Sequence, residues 1–233
     1  MPHVAPLPII QAEGYKLMVD TGCSDLRRQL VFPTGHPDSL QSLDVLGQQV
    51  QLMPSPWGET WLYADHQPMF NDPKVGEGQH FDFILTLGWC RKKTISFTRN
   101  GVEVYADQRP AQNEQISFLP GMPFPFITLN SELYLLDTGI PFSTKFKDLK
   151  DPNDNLEDYQ LCFSPLAGGI LKIQTKQDKQ GLMWLSGWSK MDQRRQGSPQ
   201  GLAALMRQAN PNIVGCIGSD YLLNNDLTIS FPA

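Results

Sequence analysis

Residues 133–142 read LYLLDTGIPF, a leucine-rich run that ends on Asp137 and turns into Thr138 and Gly139. A carboxylate among leucines is costly, because burial strips water from its ionised form. The cost acquires a use if a second carboxyl stands opposite. Two acids within hydrogen-bond reach cannot both ionise cheaply, so they share one proton and titrate in two coupled steps. One member then acts as base and the other as acid, which suits direct attack of a water molecule on an amide. The same tripeptide occurs once more, as Asp20, Thr21 and Gly22.

The elements that must bring these residues together are duplicated. Asp137 lies 117 positions after Asp20, and the match runs back without a gap: PLPIIQAEGYKLMVDTG (6–22) over PFPFITLNSELYLLDTG (123–139), with six of seventeen positions identical. A second correspondence closes each half, FDFILTLGWCRKKTISF (81–97) against PNIVGCIGSDYLLNNDLTISF (211–231), both ending in Thr-Ile-Ser-Phe. The offset grows from 117 to 134 between the two landmarks, an insertion that loop-closure entropy tolerates. Two tandem copies of one unit follow, 1–110 and 111–233, joined where DQRPAQNEQIS (107–117) loses its apolar pattern. If they pack about a pseudo-twofold axis, equivalent loops meet at it and Asp20 faces Asp137.

Apolar runs bounded by turn residues predict strands at LPIIQ and YKLMV around AEG, and at FPFITL and ELYLL around NS. Further strands are expected at LDVLGQQVQL, ETWLYAD, TISF, GVEVYA, GGILKIQT and GLMWLSGW. One helix is signalled by Ser198, Pro199 and GLAALMRQA, stopping at Asn210-Pro211, and a shorter one by SDYLLNN (219–225). In the loops Gly22 and Gly139 supply the kink, while Thr21 and Thr138 are placed to hydrogen-bond across the axis.

The motifs VDTGCS (19–24) and LLDTG (135–139), each followed by an apolar pair (Ile84-Leu85-Thr86; Ile213-Val214-Gly215), resemble the pepsin and retropepsin aspartic peptidase superfamily. The resemblance spans both halves and implies an all-β, bilobal acid-protease fold: two pseudo-twofold-related β-barrel lobes with a few short helices, around a substrate cleft. Each half has about the size of a retropepsin protomer, so the chain completes its dyad as a monomer. The implied catalytic pair is Asp20 and Asp137, with Thr21, Gly22, Ser24, Thr138 and Gly139 stabilising the loops. Ser24 stands in for the hydroxyl by which the family orients its carboxyl; the second loop has Pro141 there, with Ser143 as a substitute. Thr86 replaces the glycine that packs beneath the loop, and Gly215 keeps it. For the hairpin that covers the cleft, SPWGETW (55–61), with Trp57 and Gly58 at its tip, and PLAGGIL (165–171) are the candidates, against the plainer reading of structural turns.

Composition narrows the rest. A net charge of −5, with brief basic clusters at 91–93 and 193–195, does not make the broad basic field that nucleic acid requires. The longest apolar run, 116–130, holds three prolines and is too short to span a bilayer. The N-terminus lacks a signal-peptide pattern, and a first repeat starting near Met1 predicts no N-terminal propeptide. A soluble cytoplasmic or otherwise intracellular chain is expected. Cys23, Cys90, Cys162 and Cys216 form no C-x-x-C, and His3, His36, His66 and His80 lack ligand spacing, so no metal, no cofactor and free thiols are expected. Cys23, three residues after Asp20, is either a redox handle on the dyad or an inert buried thiol. Trp57, Trp61, Trp184 and Trp188 are cleft candidates or core. Two functions remain: an endopeptidase acting on peptide or protein substrates, or a pepsin-like fold whose aspartates are structural and whose cleft binds a peptide or protein.

Overall fold

Two short hairpins set the pattern of the whole chain. In a computed structural model, β1 (Ile9–Ala12) and β2 (Tyr15–Val19) pair antiparallel across Glu13 and Gly14, both with positive φ (50° and 86°). The equivalent strands of the second copy, here β10 (Pro125–Leu129) and β11 (Glu132–Leu136), turn at Asn130 and Ser131, again both positive (50° and 66°). Two consecutive positive-φ residues make the turn whose twist matches that of the strands it joins. Residues 7–23, 25–32, 41–54, 81–98, 100–105, 115–139, 143–145, 158–164, 169–177, 183–186, 210–219, 221 and 225–233 are described.

The strands between these hairpins are β3 (Leu30–Phe32), β4 (Ser42–Val45), β5 (Gln48–Pro54), β6 (Phe83–Leu85), β7 (Thr94–Thr98), β8 (Gly101–Tyr105) and β9 (Ile116–Phe118), with a single-turn helix α1 (Leu87–Cys90). After the second hairpin come β12 (Thr144–Lys145), β13 (Asp158–Ser164), β14 (Gly169–Gln177), β15 (Met183–Ser186), β16 (Ile213–Ile217) and β17 (Leu227–Ser230). The first sheet runs β1-β2-β6-β3-β5-β4, and the second contains β10-β11-β16-β12-β15-β14 in the same order, extended by β9 at one end and β13 at the other. Pairing directions agree as well: β2–β6 and β11–β16 are parallel, β3–β6 and β12–β16 antiparallel, β3–β5 and β12–β15 parallel. The duplication read in the sequence is therefore a duplication of topology.

The third sheet, β17-β7-β8, joins the copies. Its central pairing sets one Thr-Ile-Ser-Phe segment antiparallel to the other, with Ile95 opposite Ile229. Thr94 Oγ1 meets Ser230 Oγ at 3.0 Å and Ser96 Oγ meets Thr228 Oγ1 at 2.7 Å, one contact being the twofold image of the other. Period-2 alternation sends Leu17 and Val19, with their equivalents Tyr134 and Leu136, into one continuous core that also takes Ile95, Phe97, Ile229 and Phe231 from the joining sheet. The opposite faces feed two smaller clusters that are again images: Met18 and Ile84 in one, Leu135 and Cys216 in the other.

Several expectations change in detail. LDVLGQQVQL is a hairpin rather than one strand, because Leu46 and Gly47 adopt positive φ (55° and 80°) and reverse the chain between β4 and β5. The linker 107–117 ends inside β9 rather than before it, Ile116 and Ser117 pairing with β10. Of SDYLLNN, Ser219 and Tyr221 are helical; the helix expected after Ser198 and the strand at ETWLYAD lie outside the described residues. Among the described residues no helix is long and apolar enough to cross a membrane.

Candidate active site

Each aspartate sits at the end of the buried half of a central strand. Val19 and Leu136 are fully buried, and the next residue's N–H donates to the neighbouring parallel strand: Asp20 N to Leu85 O and Asp137 N to Ile217 O, both at 2.9 Å. These matching bonds fix the equivalence of β6 and β16 and correct one expectation. The apolar-apolar-Gly element beneath the second loop is Cys216-Ile217-Gly218 rather than Ile213-Val214-Gly215. A register shift between Leu133 and Tyr134 leaves Val214 without a partner on β11 and moves Gly215 inside the strand.

The two loops interlock through their threonines. Thr21 N donates to Thr138 Oγ1 and Thr138 N to Thr21 Oγ1, both at 3.0 Å. The hydroxyls then donate across the axis, Thr21 Oγ1 to Leu136 O at 2.7 Å and Thr138 Oγ1 to Val19 O. All four groups are buried in threonines with no solvent exposure, so every one of them needs the partner it has.

This lock brings each carboxyl over the other loop's glycine. A Cβ on Gly22 would lie 2.3 Å from the Asp137 carboxyl, and one on Gly139 2.5 Å from that of Asp20. No larger residue leaves room for that approach, and both glycines are needed for space rather than for positive φ. Each carboxyl thus reaches the other loop, close enough for the Asp137 side chain to act on that of Asp20, and a hydrogen bond between two carboxyls requires one of them to hold a proton. Asp137 is buried and Asp20 half-buried. Burial pushes the Asp20 carboxyl up, and the N–H of Gly22, the Asp137 carboxyl and the N–H groups of Cys23 and Gly139 oppose it without cancelling it. Gly22 N and Cys23 N reach Asp20 Oδ1 at 2.8 and 3.1 Å, and Gly139 N reaches Asp137 Oδ1 at 3.0 Å. The arrangement can hold one proton between two oxygens and exchange it with a small polar molecule.

The described residues around the carboxyls include three buried thiols. Cys23 is buried, and burial together with the Asp20 charge pushes its thiol up; burial does the same for Cys90 and Cys216. All three are free and protonated at neutral pH, so the redox role considered for Cys23 finds no support in its environment. Among the described residues no cluster of His, Cys, Asp or Glu could hold a metal ion.

The sequence pointed to Asp20, Asp137, Thr21, Thr138, Gly22 and Gly139, and all six meet here. Ser24, Trp57, Gly58 and Pro141 lie outside the described residues, as does the tip of PLAGGIL, whose flanks are the strands β13 and β14. Ser143 is buried, and its Oγ accepts from Gly218 N at 3.0 Å. Thr86 is buried too, the N-cap of α1 and the partner of three loop residues. No protein-family model, curated protein or solved structure matches the chain.

Proposed function

We propose that this chain is an aspartic endopeptidase with a bilobal pepsin- or retropepsin-like architecture, its lobes being residues 1–110 and 111–233. The observation that carries the reading is the close approach of the Asp20 and Asp137 carboxyls, held by reciprocal threonine bonds and admitted by two glycines. A water between the carboxyls loses a proton to the ionised member as its oxygen attacks the scissile carbonyl carbon. The protonated member donates to the carbonyl oxygen, and the resulting diol collapses with proton transfer to the departing amine. No covalent enzyme intermediate forms. Both acids come from one chain, so a monomer suffices, and the substrate is a peptide or an unfolded protein segment.

The test is digestion of a reduced, alkylated protein at mildly acidic to neutral pH. The wild-type chain is expected to yield discrete fragments, and Asp20→Asn or Asp137→Asn each to abolish them with the circular dichroism spectrum unchanged. Undiminished cutting by either variant refutes the dyad. Absence of cutting by the wild type at every pH, with a peptide retained on the protein, would instead establish the binding reading.

A further inference from the structure

The two aspartate loops differ in length. Val31 and Thr144 hold equivalent register positions, opposite Ile84 and Cys216, yet eleven positions separate Asp20 from Val31 and seven separate Asp137 from Thr144. The first loop therefore carries four extra residues. They form a turn closed by Asp25, whose carboxylate accepts from Arg27 N at 3.0 Å and Arg28 N at 2.9 Å and pairs with the Arg28 guanidinium at 2.7 Å. Motion of this turn would reach the dyad, because Cys23 at its base donates its N–H to Asp20.

Thr86 lies beneath that turn with no solvent exposure. Its single hydroxyl proton is shared between Asp25 O, at 2.9 Å, and Arg28 O, while its Oγ1 accepts from Gly88 N at 3.1 Å. Its own N–H donates to Gln29 O at 3.0 Å, and the next residue's N–H, from Leu87, donates to Cys23 O at 3.0 Å. Gly88 completes the seat: a Cβ there would meet the carbonyl oxygens of Asp25, Leu26 and Arg28 at 2.8 to 3.0 Å. The second half uses the reverse arrangement. Gly218 holds the position of Thr86, and the hydroxyl comes from the loop side, Ser143 Oγ accepting from Gly218 N.

We propose that Thr86 is a positioning residue for Asp20: its hydroxyl fastens the longer loop so that the Cys23 N–H stays on the carboxylate. The proposal rests on the endopeptidase reading for its catalytic consequence and on geometry alone for its effect on the carboxyl. Among the described residues, the titratable groups facing Asp20 are Asp137 and the thiols of Cys23, Cys90 and Cys216. Asp25 faces Cys23 from the same turn; burial pushes its carboxyl up, and the N–H groups of Arg28 and Arg27 with the Arg28 guanidinium outweigh burial and hold it below the usual range. Burial keeps the thiols neutral, and Asp25 gives up its proton more readily than an ordinary aspartate.

The experiment follows the carboxyl carbons of Asp20 and Asp137 by NMR as pH is varied, in the wild type, Thr86→Val, Thr86→Gly and Thr86→Ser. Loss of the hydroxyl is expected to raise the proton affinity of the dyad, read at the Asp20 carboxyl carbon, about threefold, since an N–H donor to the charged form is weakened, and serine is expected to restore it. On a peptide substrate, kcat falls about tenfold in the valine and glycine variants with KM nearly unchanged, the signature of a misaligned reacting group. In the wild type, the Cys23 and Leu87 amide shifts follow the Asp20 curve, a readout that needs no variant to fold. A flat Leu87 shift, or valine and glycine variants that titrate as wild type while only melting earlier, overturns the proposal. If the wild type cleaves nothing yet these titrations behave as stated, it is the endopeptidase reading that fails.

Discussion

The first aspartate loop carries four more residues than the second, and different atoms fasten the two. Thr86 and Gly88 grip the first from below through its carbonyls, whereas Ser143 reaches out from the second to a backbone N–H of Gly218. Above these supports the halves converge on one arrangement: matching strand-end bonds of 2.9 Å, matching threonine bonds of 3.0 Å and a glycine beneath each carboxyl. Symmetry is kept where the halves touch and relaxed one layer away. A duplicated chain can drift wherever a contact is internal to one copy, but residues meeting on the axis must satisfy both copies at once.

The largest effects should come from the glycines. Gly22→Ala displaces the Asp137 carboxyl and Gly139→Ala that of Asp20, and each should lower kcat/KM about a hundredfold, as ångström-scale misplacement does. The obstructing atoms belong to a carboxyl rather than to backbone, so the fold should survive each change. One alanine leaving activity intact while the other abolishes it would break the crossed arrangement.

Next come the threonines. Thr21→Val strands the buried Leu136 O and Thr138 N, and Thr138→Val their images, so each should cost about 2–4 kcal/mol in urea unfolding. The two losses should agree within about 1 kcal/mol. A larger gap would mean that the halves share the axis unequally.

A smaller effect concerns pH. Because burial raises the Asp20 carboxyl in the folded chain, the folded state holds this proton more tightly than the unfolded one. That contribution is complete below the ordinary carboxyl value of about 4 and is lost as pH rises through the raised value. The urea midpoint of the wild type, less that of Asp20→Asn, should therefore fall between mildly acidic and neutral pH; a rising difference would reverse the assignment. The smallest effect belongs to the joining sheet. Thr94→Val and Thr228→Val each remove a hydroxyl from one of these contacts, and each should cost about 0.5–1.5 kcal/mol by thermal melting.

The parts legible in the sequence were those written twice in contiguous stretches. The hairpins before Asp20 and Asp137 and the loop residues themselves appear as an ungapped match, and the strands follow from apolar runs bounded by turn formers. Other features depend on partners far along the chain. IVGCIG contains two apolar-apolar-Gly triplets, and only parallel pairing with β11, skipping Val214, selects the second. Both Thr-Ile-Ser-Phe segments were visible as repeats, but their pairing with each other arises from the axis, which no local pattern records. Thr86 read as a lost glycine because its partners are backbone carbonyls 58 and 61 positions away, and four-residue α1 is too short to leave a helical periodicity.

The central claim is that Asp20 and Asp137 share one proton, and carboxyl-carbon titration of the wild-type chain tests it most directly. Two separated steps, each registered at both aspartates, are predicted. Two independent curves, each with a single midpoint near the ordinary aspartate value of about 3.9, would contradict it.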